Sequence, residues 1–536
     1  MKKFLLTIYN ILGFTGLWLA PIVYVILGQG FLSLDSQKRL LVCLAVIVWT
    51  SFNNFWSIAC EGKRFDEINI GDGLIPDTGL KKESPQKRVA MYPKVPVQYL
   101  SKTPEGVILG IYKNRYVRIP TDTIHHYCIL GGTGSGKSST ILIDSLLANF
   151  SKEHPDSLVF AIDIKGELHE KATKAFAENV LIVDPSDRTT AGWDAFYRLH
   201  DNPSDDLIIE AIEEIGQALI VSTNPKDHFF VENARTMFTG LLVYYFKQGE
   251  TFIDSVNKIL EADTGKLILD ITRDSSPSDL WYKYLAKFAG KDAESIQDCM
   301  VEMTTSLSVF SKSDVKFCFR DNAIKASPYS FREQKSVFLA IPEHLLESYK
   351  APLRLCTCQV LQELQRRSEH ETTPIMLIID EFARLGRIEG IFNALATLRS
   401  KKVMILLAFQ SLAQCEVIYS KDEARTLTDN CRIKYILEVS DPETAKTVQD
   451  WCGTYRDKKE TLNGGKNHHK SYSYENQPIV EPKDLLTLTK KQEVILVISG
   501  TGYLRVKKVF YFKDKLLSVM AEKVKGYNES LKQQIQ

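Results

Sequence analysis

Residues 128–144 read CILGGTGSGKSSTILID, and the fold of the chain follows from this stretch. Gly131, Gly136, Lys137 and Ser138 satisfy G-x-x-x-x-G-K-S, the pattern of a phosphate-binding P-loop. An apolar, strand-like run precedes the pattern and a helix-like run follows it, which is the context that a P-loop requires. Glycines at these positions let the backbone wrap an anion, so that successive N–H groups and the helix N-terminus face the phosphates.

The pattern also predicts which ligands the loop takes. We expect Lys137 to pair with β- and γ-phosphate oxygens and the Ser138 hydroxyl to bind Mg²⁺, so the predicted cofactors are ATP and Mg²⁺. The residues predicted to contact the nucleotide are Gly131, Gly132, Thr133, Gly134, Ser135, Gly136, Lys137, Ser138 and Ser139.

A second apolar run, PIMLII at 374–379, ends in Asp380 and Glu381. A P-loop needs a carboxylate at the end of a neighbouring strand to hold the metal and its water. Asp380 is the predicted metal carboxylate, alongside Ser138, and Glu381 is the predicted base or orienter of the attacking water. Buried strands of other proteins also end in two acidic residues, so this interpretation depends on the P-loop upstream.

Composition excludes some classes of partner and site. The 67 Lys and Arg residues nearly balance 66 Asp and Glu residues, so any contact with nucleic acid must be local rather than a general basic surface. The ten cysteines lack zinc-ribbon or C-x-x-C spacing, which is typical of reduced, buried thiols.

The N-terminal region contains two apolar segments, 4–32 and 40–59, each long enough to cross about 30 Å of hydrocarbon. A signal peptide is the alternative for the first segment, but a second span follows it. Lysines at positions 2 and 3 and the Lys63-Arg64 pair favour a multi-pass cell-membrane protein with both termini and the ATPase domain in the cytoplasm.

Beyond the apolar segments, strand-like runs alternate with helix-like runs, which predicts an α/β fold with a mostly parallel sheet. Between these runs lies a long region with apolar residues at helical spacing only. The predicted domains are a two-helix transmembrane anchor (1–60), a β-rich membrane-proximal connecting segment (61–122), a nucleotide-binding motor (123–200 and 327–520), a helical insertion (201–326) and a flexible tail (521–536).

Several stretches together resemble the type IV secretion coupling proteins, the conjugative DNA-transfer ATPases of the larger FtsK/HerA translocase group. The most specific are IIDEFARLGRI at 378–388 and LLAFQSLAQCEVIY at 406–419, supported by ILGGTGSGKSS, AIDIKGEL at 161–168 and HFFVENARTMFTGLL at 228–242. The resemblance implies a RecA-like P-loop motor that forms a homohexamer with nucleotide between subunits. It also implies docking, through the anchor, on inner-membrane components of a type IV secretion channel.

The resemblance further implies a cargo, which is a relaxase-bound single strand of DNA. One alternative is a secreted protein substrate, for which the ATPase acts as receptor and gate without pumping DNA. A second alternative is a P-loop scaffold at the membrane that translocates nothing. Charge and composition do not choose among the three.

Three more residues at strand or helix ends are candidates. Gln410, after VMILLAF, is placed to contact the γ-phosphate or its water, or else makes only a local hydrogen bond. Asp163 either enters the nucleotide crevice or caps the next helix. The helix ending at Arg399 must run back to the opposite end of the sheet, so Arg399 can reach only a neighbouring subunit's phosphate, as an arginine finger. The alternative is a solvated cation at a helix C-terminus.

Overall fold

A mixed sheet forms the centre of the computed structural model, which describes residues 94–174, 177–221, 228–291, 293–463 and 469–535. The predicted anchor (1–60) and the first part of the predicted connecting segment (61–93) lie outside these residues. None of the helices within the described ranges is both long and apolar enough to span a bilayer.

Sixteen strands occur in the described ranges: β1 (Leu100–Ser101), β2 (Val107–Tyr112), β3 (Arg115–Ile119), β4 (Tyr127–Gly131), β5 (Leu158–Ile164), β6 (Val180–Val183), β7 (Gly192–Trp193), β8 (Lys325–Ala326), β9 (Ser336–Ile341), β10 (Ile375–Ile379), β11 (Val403–Phe409), β12 (Ile433–Glu438), β13 (Thr454–Asn463), β14 (His469–Pro478), β15 (Glu493–Ile498) and β16 (Gly502–Lys507). Twelve of them form the main sheet, in the order β1-β3-β2-β16-β15-β12-β4-β11-β10-β5-β9-β6. β13 pairs with β14, and β7 with β8, in two small sheets.

The α-helices of the same ranges are α1 (Ile143–Phe150), α2 (Glu167–Ala172), α3 (Asp205–Leu219), α4 (His228–Lys247), α5 (Phe252–Glu261), α6 (Thr264–Arg273), α7 (Tyr282–Leu285), α8 (Ala293–Leu307), α9 (Ser313–Lys316), α10 (Leu346–Arg366), α11 (Ile391–Thr397), α12 (Leu412–Ile418), α13 (Lys421–Asn430), α14 (Pro442–Cys452), α15 (Pro482–Leu486), α16 (Leu488–Lys491) and α17 (Lys515–Ile535). A π-helical turn, Ser138–Leu142, joins the P-loop to α1.

The parallel part of the sheet runs from β12 to β6, and it carries the nucleotide-binding features. β4, β5, β9, β10 and β11 are buried along their whole length, because helices cover both faces of a parallel sheet. One hydrophobic layer packs α1 and α17 on one face, and a larger one packs α10 and the inserted helices on the other. The mixed α/β nucleotide-binding fold predicted from the sequence is confirmed.

The helical insertion occupies the chain between β7 and β8 and contains α3 to α9. Its helices begin at side-chain caps that the sequence provides: Ser204 caps α3, Thr251 caps α5 and Asp263 caps α6. α4 packs against α3 and α8 through buried residues such as Met237 and Phe238.

The structure differs from the prediction in two segments, 94–122 and 521–536. The strands within 94–122 are not a separate segment, because β2 pairs with β16 and so extends the main sheet. The flexible tail predicted over 521–536 is instead the helix α17 as far as Ile535. Leu517 and Val524, two turns apart on α17, are buried against the sheet layer, and Asn528 donates to the Thr173 carbonyl at 2.9 Å.

Candidate nucleotide site

The P-loop connects β4 to the π-helical turn and has the backbone that its glycines permit. Gly134 and Gly136 adopt φ values of +78° and +95°, which L-residues rarely adopt. A methyl group on Gly131 would lie 2.4 Å from the Ser135 hydroxyl, so this position has no room for a side chain. The glycines of the sequence pattern therefore permit a backbone conformation and a close contact that a residue with a side chain would disfavour.

The Lys137 side chain folds back over the loop and is almost fully buried, with 6% of it exposed. Its ammonium donates to the Gly131 carbonyl at 2.7 Å and lies 3.4 Å from the Glu381 carboxylate. The predicted phosphate-binding cation is thus held between the P-loop and the end of β10. Its present partners are a backbone carbonyl and one acidic side chain.

Ser138 and Asp380, the two predicted metal ligands, are brought together. The Ser138 hydroxyl donates to Asp380 Oδ2 at 3.3 Å. Burial raises the pKa of Asp380 from 3.8 to about 7, with a further rise from the Glu381 charge that Lys137 partly offsets. Asp380 is 6% exposed, so its carboxylate is poorly solvated without a cation beside it.

The residues fit a Mg²⁺ ion. Asp380 Oδ1 is buried and has no hydrogen-bond partner, so one carboxylate oxygen is available beside the Ser138 hydroxyl. In the described part of the chain, no group of three or more His, Cys, Asp or Glu side chains is placed to hold a metal. The Ser138 hydroxyl and the Asp380 carboxylate suit Mg²⁺, because this ion usually takes one or two protein oxygens and completes its shell with phosphates and water.

Glu381 links the P-loop to β11. One oxygen of its carboxylate faces Lys137, and the other accepts a hydrogen bond from Gln410 Nε2 at 2.7 Å. Gln410 in turn accepts from Gln414 Nε2 at 3.3 Å. Glu381 has φ +56°, a left-handed backbone that is costly for a residue with a side chain. Gln410 therefore lies beside Glu381 at the carboxyl end of β10, and its contact with the γ-phosphate or its water stays a prediction.

The order of the sheet explains this convergence. β11 lies between β4, which carries the P-loop, and β10, which carries Asp380. All three strands are parallel, so their carboxyl ends meet at one edge. Gln410 follows β11 and therefore lies at the same edge of the sheet as the P-loop and Asp380.

Asp163 does not join this cluster through hydrogen bonds. It accepts from the backbone of Leu168 at 3.1 Å, from the backbone of His169 at 2.8 Å and from His169 Nδ1 at 2.7 Å. Asp163 therefore caps α2, which is one of the two predicted alternatives, and from the strand next to β10 its charge also raises the pKa of Asp380. Lys165, close by in the sequence, is half exposed and lies 3.6 Å from Glu343.

Arg399 lies at the opposite end of the sheet. It lines a cavity of about 360 Å³ together with residues that directly precede β4 and β12. Burial, and then the Arg399 charge, lower the pKa of His126 to about 4, so this histidine is neutral at pH 7. The cavity lies where β4 and β12 begin, whereas the P-loop follows the end of β4, so Arg399 is separated from its own P-loop as predicted. The lining residues are His125, His126, Leu395, Ala396, Arg399, Ser400, Asn430 and Arg432.

Sequence reasoning missed Lys508, which follows β16. Its ammonium is buried and donates to the Ser135 carbonyl at 2.9 Å and to Thr489 Oγ1 at 3.0 Å. Burial lowers the pKa of Lys508 to about 8. In the sequence, Lys507-Lys508 looks like a solvated pair, and only the alternation of β16, which points Val506 and Lys508 to the buried side, distinguishes the two lysines.

Comparison with known proteins identifies the family. A sequence model described as type IV secretory system conjugative DNA transfer matches residues 97–534. The chain belongs to this family. It is 23% identical over 425 residues to protein VirD4 of Agrobacterium fabrum, covering 74% of this chain and 60% of the relative. It is 20% identical over 409 residues to the conjugal transfer protein TraG of the same organism, covering 72% and 60%. The chain thus spans about 60% of the length of these curated relatives.

Solved structures of the plasmid coupling protein TrwB share the fold. An unbound form superimposes with a TM-score of 0.62 at 17% identity, covering 81% of this chain and 94% of the other. The complex of TrwB with the ATP analogue ADPNP gives a TM-score of 0.60 at 17% identity, covering 80% and 92%. At this level of identity the likeness establishes the fold alone.

Proposed function

We propose that the chain is a membrane-anchored ATPase coupling protein that delivers relaxase-bound single-stranded DNA to a type IV secretion channel. ATP hydrolysis in a RecA-like motor supplies the energy. The observation that carries the ATPase assignment is Glu381, held between Lys137 and Gln410 beside the Ser138–Asp380 pair. Membership of the conjugative DNA-transfer family supports the cargo.

ATP and Mg²⁺ are the proposed cofactors. One TrwB structure is a complex with ADPNP and another a complex with ADP and Mg²⁺. The P-loop of this chain offers backbone N–H groups, the Lys137 ammonium and the Ser138 hydroxyl to such ligands. Bound Mg²⁺ neutralises phosphate charge. Ser138 and Asp380 would hold it, and the backbone from Gly131 to Ser139 would contact the phosphates.

We assign the chemical step to Glu381 and Gln410. When Lys137 turns from the Gly131 carbonyl and Glu381 to the γ-phosphate, one Glu381 oxygen becomes available to a water molecule. Glu381 then orients that water and accepts its proton, while Gln410 holds the other oxygen and responds to loss of the phosphate. Glu381 thus offsets the charge of Lys137 before nucleotide binds and acts on water afterwards.

The proposed assembly is a homohexamer with nucleotide between subunits. Arg399 and the cavity it lines face away from the chain's own P-loop, and no acidic residue is among those lining that cavity. A cavity with two arginines suits the triphosphate of a neighbouring subunit, with Arg399 as the arginine finger. Inner-membrane components of the channel are the proposed docking partners, and the anchor over 1–60, with both termini cytoplasmic, is part of the same proposal.

A protein-effector receptor that uses ATP only for gating is the second candidate. The experiment that separates the two measures ATP hydrolysis by the full-length chain in lipid nanodiscs, with and without single-stranded DNA. Stimulation by DNA that is absent from the Lys137→Ala variant supports the DNA pump. Hydrolysis that is indifferent to DNA but responds to a secreted protein supports the receptor.

A further inference from the structure

The segment that follows β16 packs directly against the P-loop. Lys508 ties it to the Ser135 carbonyl, as described above. Two residues later, Phe510 lies so close that a methyl group on Gly136 would be 3.5 Å from its Cε1 atom. The position of this segment is therefore set by the same loop that is proposed to hold phosphates.

Two phenylalanines of this segment form an aromatic surface beside the loop. The ring centroids of Phe510 and Phe512 are 5.4 Å apart, with 45° between the ring planes. Lys513 Nζ lies 5.1 Å from the Phe510 centroid and 5.9 Å from the Phe512 centroid. Phe512 is 56% exposed, and its ring also packs edge-to-face against Tyr511 with the centroids 5.3 Å apart. An exposed ring next to the P-loop offers a stacking surface to a ligand with a flat, aromatic face.

The direction of a nucleotide in the loop points to the same surface. The P-loop backbone and the start of its helix take the phosphates, so the ribose and base leave the loop beyond the last phosphate contact. Ser139, whose hydroxyl donates to the Gly136 carbonyl at 3.3 Å, marks that end of the loop, and Phe510 packs on Gly136 at the same place. The aromatic surface thus lies where the base of a bound nucleotide emerges.

We propose that Phe510 and Phe512 are the nucleobase-binding platform of the motor, with the exposed ring of Phe512 stacking on the base. The inference rests on the proposed function, because it takes the P-loop to bind a nucleoside triphosphate. Phenyl rings carry no hydrogen-bond donor or acceptor, so stacking on them is tolerant of base identity. Adenine and guanine nucleotides are therefore bound with similar affinity, and loss of the stacking ring weakens both.

The test compares ATP with inorganic tripolyphosphate, which has the phosphates but no base. Calorimetry on the full-length chain in nanodiscs measures ATP affinity directly and tripolyphosphate affinity by competition. Phe512→Ala is expected to weaken ATP and GTP binding by roughly 5- to 150-fold, the range for loss of one aromatic–base stack, while tripolyphosphate affinity stays unchanged. Phe512→Trp is expected to restore ATP binding. Phe229→Ala, which removes a 70%-exposed ring in the helical insertion, is the matched control.

Three results overturn the platform. ATP affinity that is unchanged in Phe512→Ala does so, as does a failure of Phe512→Trp to restore it. An equal loss of ATP and tripolyphosphate affinity means that the segment only supports the P-loop. Failure of the underlying nucleotide site is seen separately, because Lys137→Ala must weaken ATP and tripolyphosphate alike; if it weakens neither, the proposed function is wrong.

Discussion

Because its pKa is raised, Asp380, the proposed metal carboxylate, is expected to destabilise the nucleotide-free protein at neutral pH. The pKa rises from 3.8 to about 7, because the side chain is buried beside Glu381 with 6% of its surface exposed. Since each pKa unit is worth about 1.4 kcal/mol, keeping Asp380 ionised costs the folded state about 4 kcal/mol relative to a solvated aspartate. Asp380→Asn keeps the shape of the side chain and removes this cost.

The sign of the pH dependence follows from linkage. Below pH 4 the Asp380 carboxyl is protonated in both the folded and the unfolded chain, and it contributes no penalty. Between pH 4 and about 7 the unfolded chain loses this proton first, so stability falls as pH rises through that window. Above the folded-state pKa the full penalty is present. The wild-type minus Asp380→Asn difference in stability therefore becomes more negative from pH 5 to pH 8.

The assay is thermal unfolding of the full-length protein in nanodiscs with EDTA and without nucleotide, at several pH values between 5 and 8. At pH 8 Asp380→Asn is expected to unfold a few degrees above the wild type, and near pH 5 the difference should shrink. Asp450→Asn, at an exposed position on α14, controls for loss of one surface charge. A difference between wild type and Asp380→Asn that does not change with pH would refute the reasoning.

Four further predictions concern the proposed motor. Lys137→Ala should abolish ATPase activity and DNA transfer while the protein still inserts in membranes; wild-type transfer frequency would contradict the P-loop assignment. Glu381→Gln should retain nucleotide affinity in calorimetry while kcat falls by about 100-fold or more, because the amide cannot accept the proton; lost binding would instead make Glu381 a ligand or structural. Arg399→Ala should be inactive alone but regain activity when mixed with Lys137→Ala, since about one quarter of the junctions in a random mixture combine an intact P-loop with an intact finger. Arg273→Ala, which removes an exposed guanidinium in the insertion, is the control, and wild-type hydrolysis by Arg399→Ala alone would exclude the finger. Deletion of 1–60 should give a soluble motor that assembles poorly in sedimentation, because membrane confinement no longer raises its local concentration.

The nucleotide site could largely be predicted from the sequence because its residues are set by local chemistry. The φ values of +78° and +95° at Gly134 and Gly136 strongly favour glycine, and Lys137 and Ser138 follow Gly136 directly. Asp380 and Gln410 could be placed because each follows an apolar run, and the carboxyl ends of parallel strands meet at one edge. The hydrogen bond between Gln410 and Glu381 could not be predicted from the sequence, which suggested only that Gln410 contacts the phosphate or makes some local hydrogen bond.

Other features depend on contacts between residues far apart in the chain, which no local pattern encodes. Lys508 reaches Ser135 across more than 370 residues. The strands of 94–122 join the main sheet only because β2 pairs with β16. α17 looks polar along its sequence, but Leu517 and Val524 recur on one face, and that spacing gives a buried stripe only when a sheet face lies opposite.

The two ends of the sheet belong to one rigid unit, and this limits how the motor can move. β11 carries Gln410 at its carboxyl end and begins next to Arg399 at its amino end, and all seven of its residues are buried. It is hydrogen-bonded to β4 and β10 on its two sides, and Ile405 N donates to His126 Nδ1 at 3.1 Å. A strand so enclosed does not slide alone, because close-packed interiors resist such shifts. Such packing favours a movement of the sheet as a body as the way in which a change at Gln410 reaches the Arg399 cavity. In the proposed hexamer, we therefore expect hydrolysis to rotate whole motor domains against their neighbours, which would open or close the Arg399 cavity of one subunit over the P-loop of the next.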